Sequence, residues 1–275
     1  ASYLNEDSDQ FMQMKEYTKQ EELGSSGFGT VYKYHNNCLD MDFAVKIYDP
    51  VFVSAEEQLE GEKRFFREAK MLFSLNNTHI ARIYDAGRMD GKPYIRMEYI
   101  KGYTVEELRN REGNMSFSRS AIVILHILAG LKHAHEHGVI HRDLRPRNVI
   151  FSENERMFKI IDFGVSAFLD TENHTQLTKT GEHIAGGSFI DPILQQKPKI
   201  RDVRSDIYSV GAIWYFLLCG RAPSGSDMRE YLEKSNSQIT PTDIDIIMKC
   251  LSSSIENRYS SCEELLPIVK NAAMG

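Results

Sequence analysis

The sequence has little of what would tie a chain to a membrane, to the cell exterior or to nucleic acid. Its four cysteines, Cys38, Cys219, Cys250 and Cys262, lie far apart with no C-x-x-C pair among them. That excludes a zinc knuckle and a small disulfide framework, and it fits a reducing cytoplasm. No long apolar run exists: the longest, Val210 to Leu218, is interrupted by Gly211 and falls far short of the ~20 residues a membrane helix needs. It reads instead as a buried helix. The opening stretch ASYLNEDSDQF has no basic start, apolar centre or cleavage pattern, so it is not read as a secretion signal. Because it begins at Ala1 rather than methionine, the chain is compatible with being a piece of a longer protein. A basic excess is also missing. The formal charge of −6 gives no basic footprint for duplex binding and argues against a nucleic-acid partner, although Arg142, Arg145 and Arg147 could hold small anions. What remains, 275 residues with 41% hydrophobic and 26% charged content, is globular and long enough for one large domain or two lobes.

The periodicity divides the chain near Tyr99 to Gly102. Residues 1–16 read as an N-terminal extension, 17–100 as a small lobe and 101–275 as a larger one. In the small lobe EYTKQEELG, TVYKYH, DFAVKIYD and YIRMEYI carry the aromatic and β-branched enrichment of strands. One helix interrupts them. Ser54 and Glu57 make an S-x-x-E capping pattern at its start, and it is expected to run to about Leu75. From about Thr104 helices dominate. SRSAIVILHILAGLKHAHEHG is apolar on most faces and stops at Gly138; SDIYSVGAIWYFLLCG repeats the pattern, with Ser205 expected as cap and Gly220 as stop. Between them Val165 to Arg204 has almost no periodicity, and a segment of that length is expected to be functional or mobile. The fold class is α+β, with no internal repeat.

Three constellations carry chemistry. In LGSSGFGTVYK, Gly24, Gly27 and Gly29 sit between two strands, where missing Cβ atoms let backbone N–H groups approach a polyphosphate. Alone, this could be a plain hairpin. A Walker loop is excluded, because no Gly-Lys-Ser/Thr triplet closes the segment and a strand follows it. Second, Lys46 shares a strand face with Ala44 and Tyr48. Glu68 falls on the helical stripe of Phe65, Leu72 and Leu75; a carboxylate on a core-facing stripe needs a cation, and Lys46 is the natural candidate. Third, VIHRDLRPRNVIF packs Asp143 and Asn148 five residues apart, and Asp162 follows the strand-like FKII. Asn148 and Asp162 supply hard oxygen ligands suited to magnesium, and Asp143 remains as a base. Each acid could merely cap a turn, but the three together fit a cation, a phosphate and an incoming hydroxyl better. His133 and His137 stand at i and i+4, a metal-pair spacing, yet no third ligand is apparent and cations suit a helix C-terminus.

In this order, the glycine-rich loop, FAVK, the helix glutamate, HRDLRPRN, DFG and DIYSVG resemble the signature set of eukaryotic-type (Hanks-type) protein kinase domains, most like the bacterial serine/threonine branch, from about Tyr17 to Val269. The resemblance implies a bilobal fold with a small antiparallel-sheet N-lobe holding one key helix and a larger, mainly helical C-lobe. It implies ATP and Mg2+, with Mn2+ as an alternative, and protein substrates. By similarity, Gly24, Ser26, Gly27, Phe28 and Gly29 cover the phosphates, and Lys46, paired to Glu68, holds two of them. Leu23, Val31, Ala44 and Ile150 enclose adenine, Met97 is the gatekeeper, and the backbones of Glu98 and Ile100 read the adenine edge. Asn148 and Asp162 hold the metal and Asp143 takes the hydroxyl proton. His141, Phe163 and Leu72 stack in a spine.

Departures from the pattern sharpen the expectations. Ser26 stands where the second glycine of the loop is usual. Arg145 replaces a lysine and could still meet the transferred phosphate as a planar, permanent cation. Pro146 favours serine/threonine specificity, and Val165 tilts toward threonine. Thr171, Thr175, Thr178 and Thr180 are candidate sites of autophosphorylation, with Arg142 as the phosphate's receiver. Where A-P-E is usual the chain has Asp191-Pro192-Ile193, so the glutamate that would pair with Arg258 is missing; Asp191 or another acid is expected to compensate. A threonine that contacts the catalytic aspartate is replaced by Gly186 or displaced to Ser188. Two other functions fit less well: a nucleotide-binding pseudokinase scaffold, and a small-molecule phosphotransferase. Oligomeric state is not written in these residues.

Overall fold

Ser54 is the helix cap its spacing suggests: its side chain accepts the Glu57 N–H, and the helix α1 runs Ala55–Phe73 with Glu56 and Glu57 in the first turn and Lys70 in the last. Both charges suit the helix dipole. It stops short of Leu75 because the Ser74 hydroxyl turns back onto the Met71 carbonyl (2.6 Å). In this computed structural model the described residues are 16–26, 29–49, 54–163, 188–197 and 199–274. They divide into two compact units, one of the described residues up to Ser74 together with Ala81–Ile100, the other of Leu75–Ile80 together with the described residues from Lys101 onward.

The first unit is an antiparallel sheet of five strands in the order β1-β2-β3-β5-β4, with β1 Tyr17–Ser26, β2 Gly29–Asn36, β3 Met41–Tyr48, β4 Ile83–Met89 and β5 Lys92–Glu98. Local chemistry sets its turns. Asn36 Oδ1 accepts the N–H groups of Cys38 and Leu39, closing β2 onto β3. Asp90 and Gly91 both take positive φ between β4 and β5, as a two-residue hairpin requires. Phe65, Ala69 and Leu72 form the buried stripe of α1. The same helix buries Glu62, whose carboxylate meets Arg88 at 2.6 Å.

The second unit carries a three-stranded sheet, β6 Gly102–Thr104, β7 Val149–Ser152 and β8 Met157–Ile160, and the other seven of the eight α-helices among the described residues. These are α2 Val105–Glu112, α3 Phe117–Glu136, α4 Ile193–Gln196, α5 Arg204–Cys219, α6 Met228–Ser235, α7 Pro241–Cys250 and α8 Cys262–Met274. Reciprocal Thr/acid capping boxes start α2 (Thr104, Glu107) and α7 (Thr240, Asp243). The core is α5, buried from Ser205 to Cys219; Trp214 stacks on Phe117 of α3 and donates its indole N–H to Ser120 (2.8 Å). Gly220 ends α5 in the left-handed conformation, as expected. Ser205 does not cap it. The helix begins at Arg204, Ser205 is buried inside the first turn, and Asp202 Oδ1 takes the Arg204 N–H at 2.9 Å instead. An aspartate two residues before a free N–H competes well for it, which periodicity could not reveal.

Candidate active site

The polar stretch Val139–Phe151 is organised from below by one carboxylate. Asp206, in the first turn of α5, is fully buried. Its Oδ2 accepts the His141 N–H (2.8 Å) and lies 2.7 Å from His135 Nε2, and its Oδ1 accepts the Arg142 N–H (2.8 Å). Burial would raise the pKa of this carboxyl, but the hydrogen bond from His135 and the neighbouring donors outweigh it, so the pKa falls and Asp206 is ionised. The bonds hold Arg142 in the left-handed region (φ 63°), one residue before Asp143. Sequence reasoning missed Asp206 and His135 as site builders. The signal was a lone acid opening a helix that is otherwise apolar on every face, since a buried carboxylate must find donors.

Asp143 itself remains part-exposed, and its Oδ1 takes a 2.8 Å bond from Arg145 Nε. Its N–H donates to His141 Nδ1 (3.3 Å) and its carbonyl accepts from the Asn148 amide (2.9 Å). Asn148 lies in a 3-10 turn, Pro146–Asn148, that starts at a residue free of any N–H. Its NH2 group is thus the end that faces the Asp143 carbonyl. The Asn148 carbonyl then accepts the Ile161 N–H (2.8 Å), so the loop is tied to the residue preceding Asp162. Asp162 follows β8 with φ 52°, a conformation uncommon for a residue with a Cβ. Phe163 is buried, its ring 4.8 Å from that of His141. Asp143, Arg145, Asn148 and Asp162 are thus gathered in the second unit. A carboxamide oxygen and a carboxylate oxygen are the hard donors that a small divalent cation selects, so Asn148 and Asp162 fit such an ion. Ile150, in β7, is half-buried and paired with Thr104 and Lys159.

The first unit gathers the other expected residues on one sheet face. Lys46 lies directly opposite Val31 on β2 and Ile95 on β5, and Ala44 opposite Lys33 and Met97. Directly paired residues share a face, so Val31, Ala44, Lys46 and Met97 line one side of the sheet. Lys46 is 6% exposed. Gly24 pairs with Val31 on the next strand out. Gly29 is required for a steric reason: at φ 145° a Cβ would lie 2.0 Å from the Ile47 carbonyl oxygen. Leu23 is exposed, the Glu98 N–H donates to the Arg82 carbonyl (2.8 Å), and Ile100 lies just past the end of strand pairing. Gly27, Phe28 and the side chains of Ser26 and Glu68 lie outside the described residues, as do Val165, Thr171, Thr175, Thr178, Thr180 and Gly186.

Near the departures from the kinase pattern the structure is specific. Asp191 does meet Arg258, in a buried bidentate pair with Nη1–Oδ2 at 2.5 Å and Nη2–Oδ1 at 2.9 Å. The Ser188 hydroxyl bonds the backbone of Ile190, through both its N–H and its carbonyl. His133 and His137 are engaged locally: His133 Nε2 accepts the Asn76 N–H (3.2 Å), and His137 Nδ1 bonds the His133 carbonyl (2.8 Å). Among the described residues no helix is long and apolar enough to cross a membrane.

A glycine-bounded strand pair beside a buried lysine in the first unit, and a loop bearing Asp143, Arg145 and Asn148 in the second, are each of a kind found in ATP-dependent phosphotransferases. The chain belongs to the protein kinase family: the model of the protein kinase domain matches residues 17–269. It is 30% identical to the serine/threonine-protein kinase PknB of Mycolicibacterium smegmatis over 90% of this chain and 41% of that protein. A probable serine/threonine-protein kinase of Streptomyces coelicolor is 32% identical over 92% and 41%. One of Clostridium acetobutylicum is 28% identical over 93% and 39%. The chain therefore spans about two fifths of the length of the curated relatives it matches. Family membership carries with it the use of ATP and a divalent metal ion.

Proposed function

We propose that the chain transfers the γ-phosphate of ATP to serine and threonine hydroxyls of protein substrates. The names of its relatives support this specificity, and one observation carries the chemistry: Asp143 is pinned on both sides of its backbone, by Asp206 through the preceding amides and by Asn148 through its carbonyl. A general base contributes only when its oxygen is held where the proton leaves. Arg145 occupies Oδ1 of Asp143, which leaves Oδ2 to orient the acceptor hydroxyl and take its proton. The permanent charge of Arg145 then stands beside the oxygen that receives the phosphoryl group.

Asn148 and Asp162 are the residues to hold magnesium, or manganese in its place; the ion neutralises charge on the phosphates during a transfer that depends mostly on positioning. Lys46, with Glu68 as its partner, grips the phosphates under Gly24, Ser26, Gly27, Phe28 and Gly29. Leu23, Val31, Ala44, Met97 and Ile150 pack on the adenine, whose edge meets the backbones of Glu98 and Ile100. Threonines between 171 and 180 are the candidate autophosphorylation sites, with Arg142 as receiver. Four free thiols suit a cytoplasmic setting.

The test is to weigh the purified chain before and after incubation with Mg-ATP, beside Asp143→Asn. Added phosphate in the wild type alone supports the reading. Nucleotide-dependent thermal stabilisation without mass gain on the chain or on protein substrates would leave a scaffold. Activity toward small alcohols only would make it a small-molecule phosphotransferase.

A further inference from the structure

Behind the catalytic loop three side chains from three helices stand in a line. Cys262, the first residue of α8, has its Sγ 3.6 Å from Nδ1 of His135 on α3. Nε2 of that ring is 2.7 Å from Oδ2 of Asp206 on α5, and Asp206 holds the amides of His141 and Arg142. The line ends one residue before Asp143. Cys262 is 2% exposed and Asp206 fully buried. Lys132 bridges Glu136 of α3 and Glu263 of α8, both at 3.5 Å, and so keeps the first turn of α8 against the end of α3.

The contacts decide which atom donates. Asp206 is ionised and only accepts, so the proton on Nε2 of His135 points at it. In a neutral ring Nδ1 is then a lone pair, and a part-buried lone pair without a donor is costly. The donor within reach is the Cys262 thiol. Burial pushes the pKa of this thiol far up, so it keeps its proton. The order Cys-His-Asp is that of a nucleophilic relay, but here the thiol is buried and protonated, and it serves the histidine.

We propose that Cys262 is a positioning residue for the catalytic loop: its S–H occupies Nδ1 of His135, fixes the Nε2–H tautomer and ring orientation, and thereby locks Asp206 onto the amides that set Asp143. The left-handed backbone of Arg142 gives the lock its importance, because a residue with a Cβ stays in that region only while its surroundings hold it there. The rate effects of this lock rest on the phosphotransfer reading; the hydrogen-bond chain does not.

Two measurements test it on the whole chain. First, 15N spectra of the histidine-labelled wild type should show His135 with a protonated Nε2 and an unprotonated Nδ1 at neutral pH. A protonated Nδ1, whether Nε2 is bare or protonated as well, would overturn the proposal. Second, kcat and KM for Mg-ATP are compared for wild type, Cys262→Ala and Cys262→Ser. The alanine variant should lose roughly tenfold in kcat, the rate equivalent of about one hydrogen bond, with KM unchanged. Serine, whose hydroxyl can also donate to Nδ1, should restore kcat to within about twofold. An alanine variant as fast as wild type, or a serine variant as slow as alanine, would refute the role. Should the alanine variant fail to fold, serine against wild type and the nitrogen spectrum decide. The spectrum also reads the tautomer if the wild type transfers no phosphate, so failure of the kinase reading is seen separately.

Discussion

Arg258 and Asp191 lie 67 residues apart in sequence and share a buried bidentate ion pair. The guanidinium is further satisfied by the Ser252 carbonyl (2.8 Å) and the Arg204 carbonyl (3.1 Å), and it lies against the Tyr208 ring. Asp191 Oδ1 also takes the Ile193 N–H at 3.1 Å, at the start of α4. The family glutamate is thus replaced by a shorter acid that reaches the same kind of arginine. A departure that argued for a scaffold in the sequence has lost its force.

Such a pair adds little to stability over apolar residues of the same shape, but breaking it strands a charge in a dry site. Asp191→Ala should therefore destabilise the chain by about 3–5 kcal/mol in urea unfolding. A loss under about 1 kcal/mol, the range of an exposed pair, would mean that the arginine finds water or another acid.

Asp206→Asn preserves shape and removes charge, which separates the two contributions of this residue. Both carboxylate oxygens accept from N–H groups, so either amide orientation sets an NH2 donor against a donor. The variant should lose about 1–3 kcal/mol of stability and most of its phosphate transfer, while ATP-dependent thermal stabilisation persists. Wild-type turnover in this variant would show that the catalytic loop holds its shape without the carboxylate.

How much of this was legible depended on sequence distance. The stretch 139–151 concentrates its chemistry in thirteen residues, so Asp143, Arg145 and Asn148 could be read together. Ser54 and Gly220 announced helix ends because a cap acts within one turn. Asp206 and His135 stayed hidden. Their bond spans 71 residues, and no local period encodes which buried donor a buried acid will find. Gly29 was read for the approach of its backbone to a phosphate; a second need, the carbonyl oxygen on the neighbouring strand, could not be read from sequence. Glu62 was missed for a similar reason, since its partner Arg88 belongs to a strand 26 residues on.

His126 gives the fold a pH dependence of known sign. Its Nδ1 accepts the Phe158 N–H (3.1 Å), and its ring lies 4.5 Å from that of His79. Burial first, and the neighbouring His79 second, lower its pKa to about 4. Unfolded, the group binds a proton near its ordinary value of about 6.5. Between these values the unfolded chain holds more protons, so stability is full above about 6.5 and falls as pH drops toward about 4. The ring is part-exposed, so solvent screening reduces the effect to about 1–2 kcal/mol. In urea titrations across this window, His126→Gln, which can still accept from Phe158, should show a shallower loss than wild type. Equal slopes would remove His126 as the source.

Gly29→Ala and Gly24→Ala distinguish a steric need from a flexible cover. At Gly29 a Cβ would meet the Ile47 carbonyl oxygen at 2.0 Å and its carbon at 3.0 Å, backbone atoms that cannot yield while Gly29 pairs with Tyr48. At Gly24 nothing lies within 4 Å. If sterics govern, Gly29→Ala should cost about 1–3 kcal/mol in nucleotide-free urea unfolding. Gly24→Ala should stay within about 0.5 kcal/mol of wild type. If loop flexibility alone matters, both variants should be as stable as wild type and differ only in their thermal stabilisation by Mg-ATP. The 2.0 Å approach favours the first outcome, because a carbonyl bound into a sheet has nowhere to move without giving up its ladder.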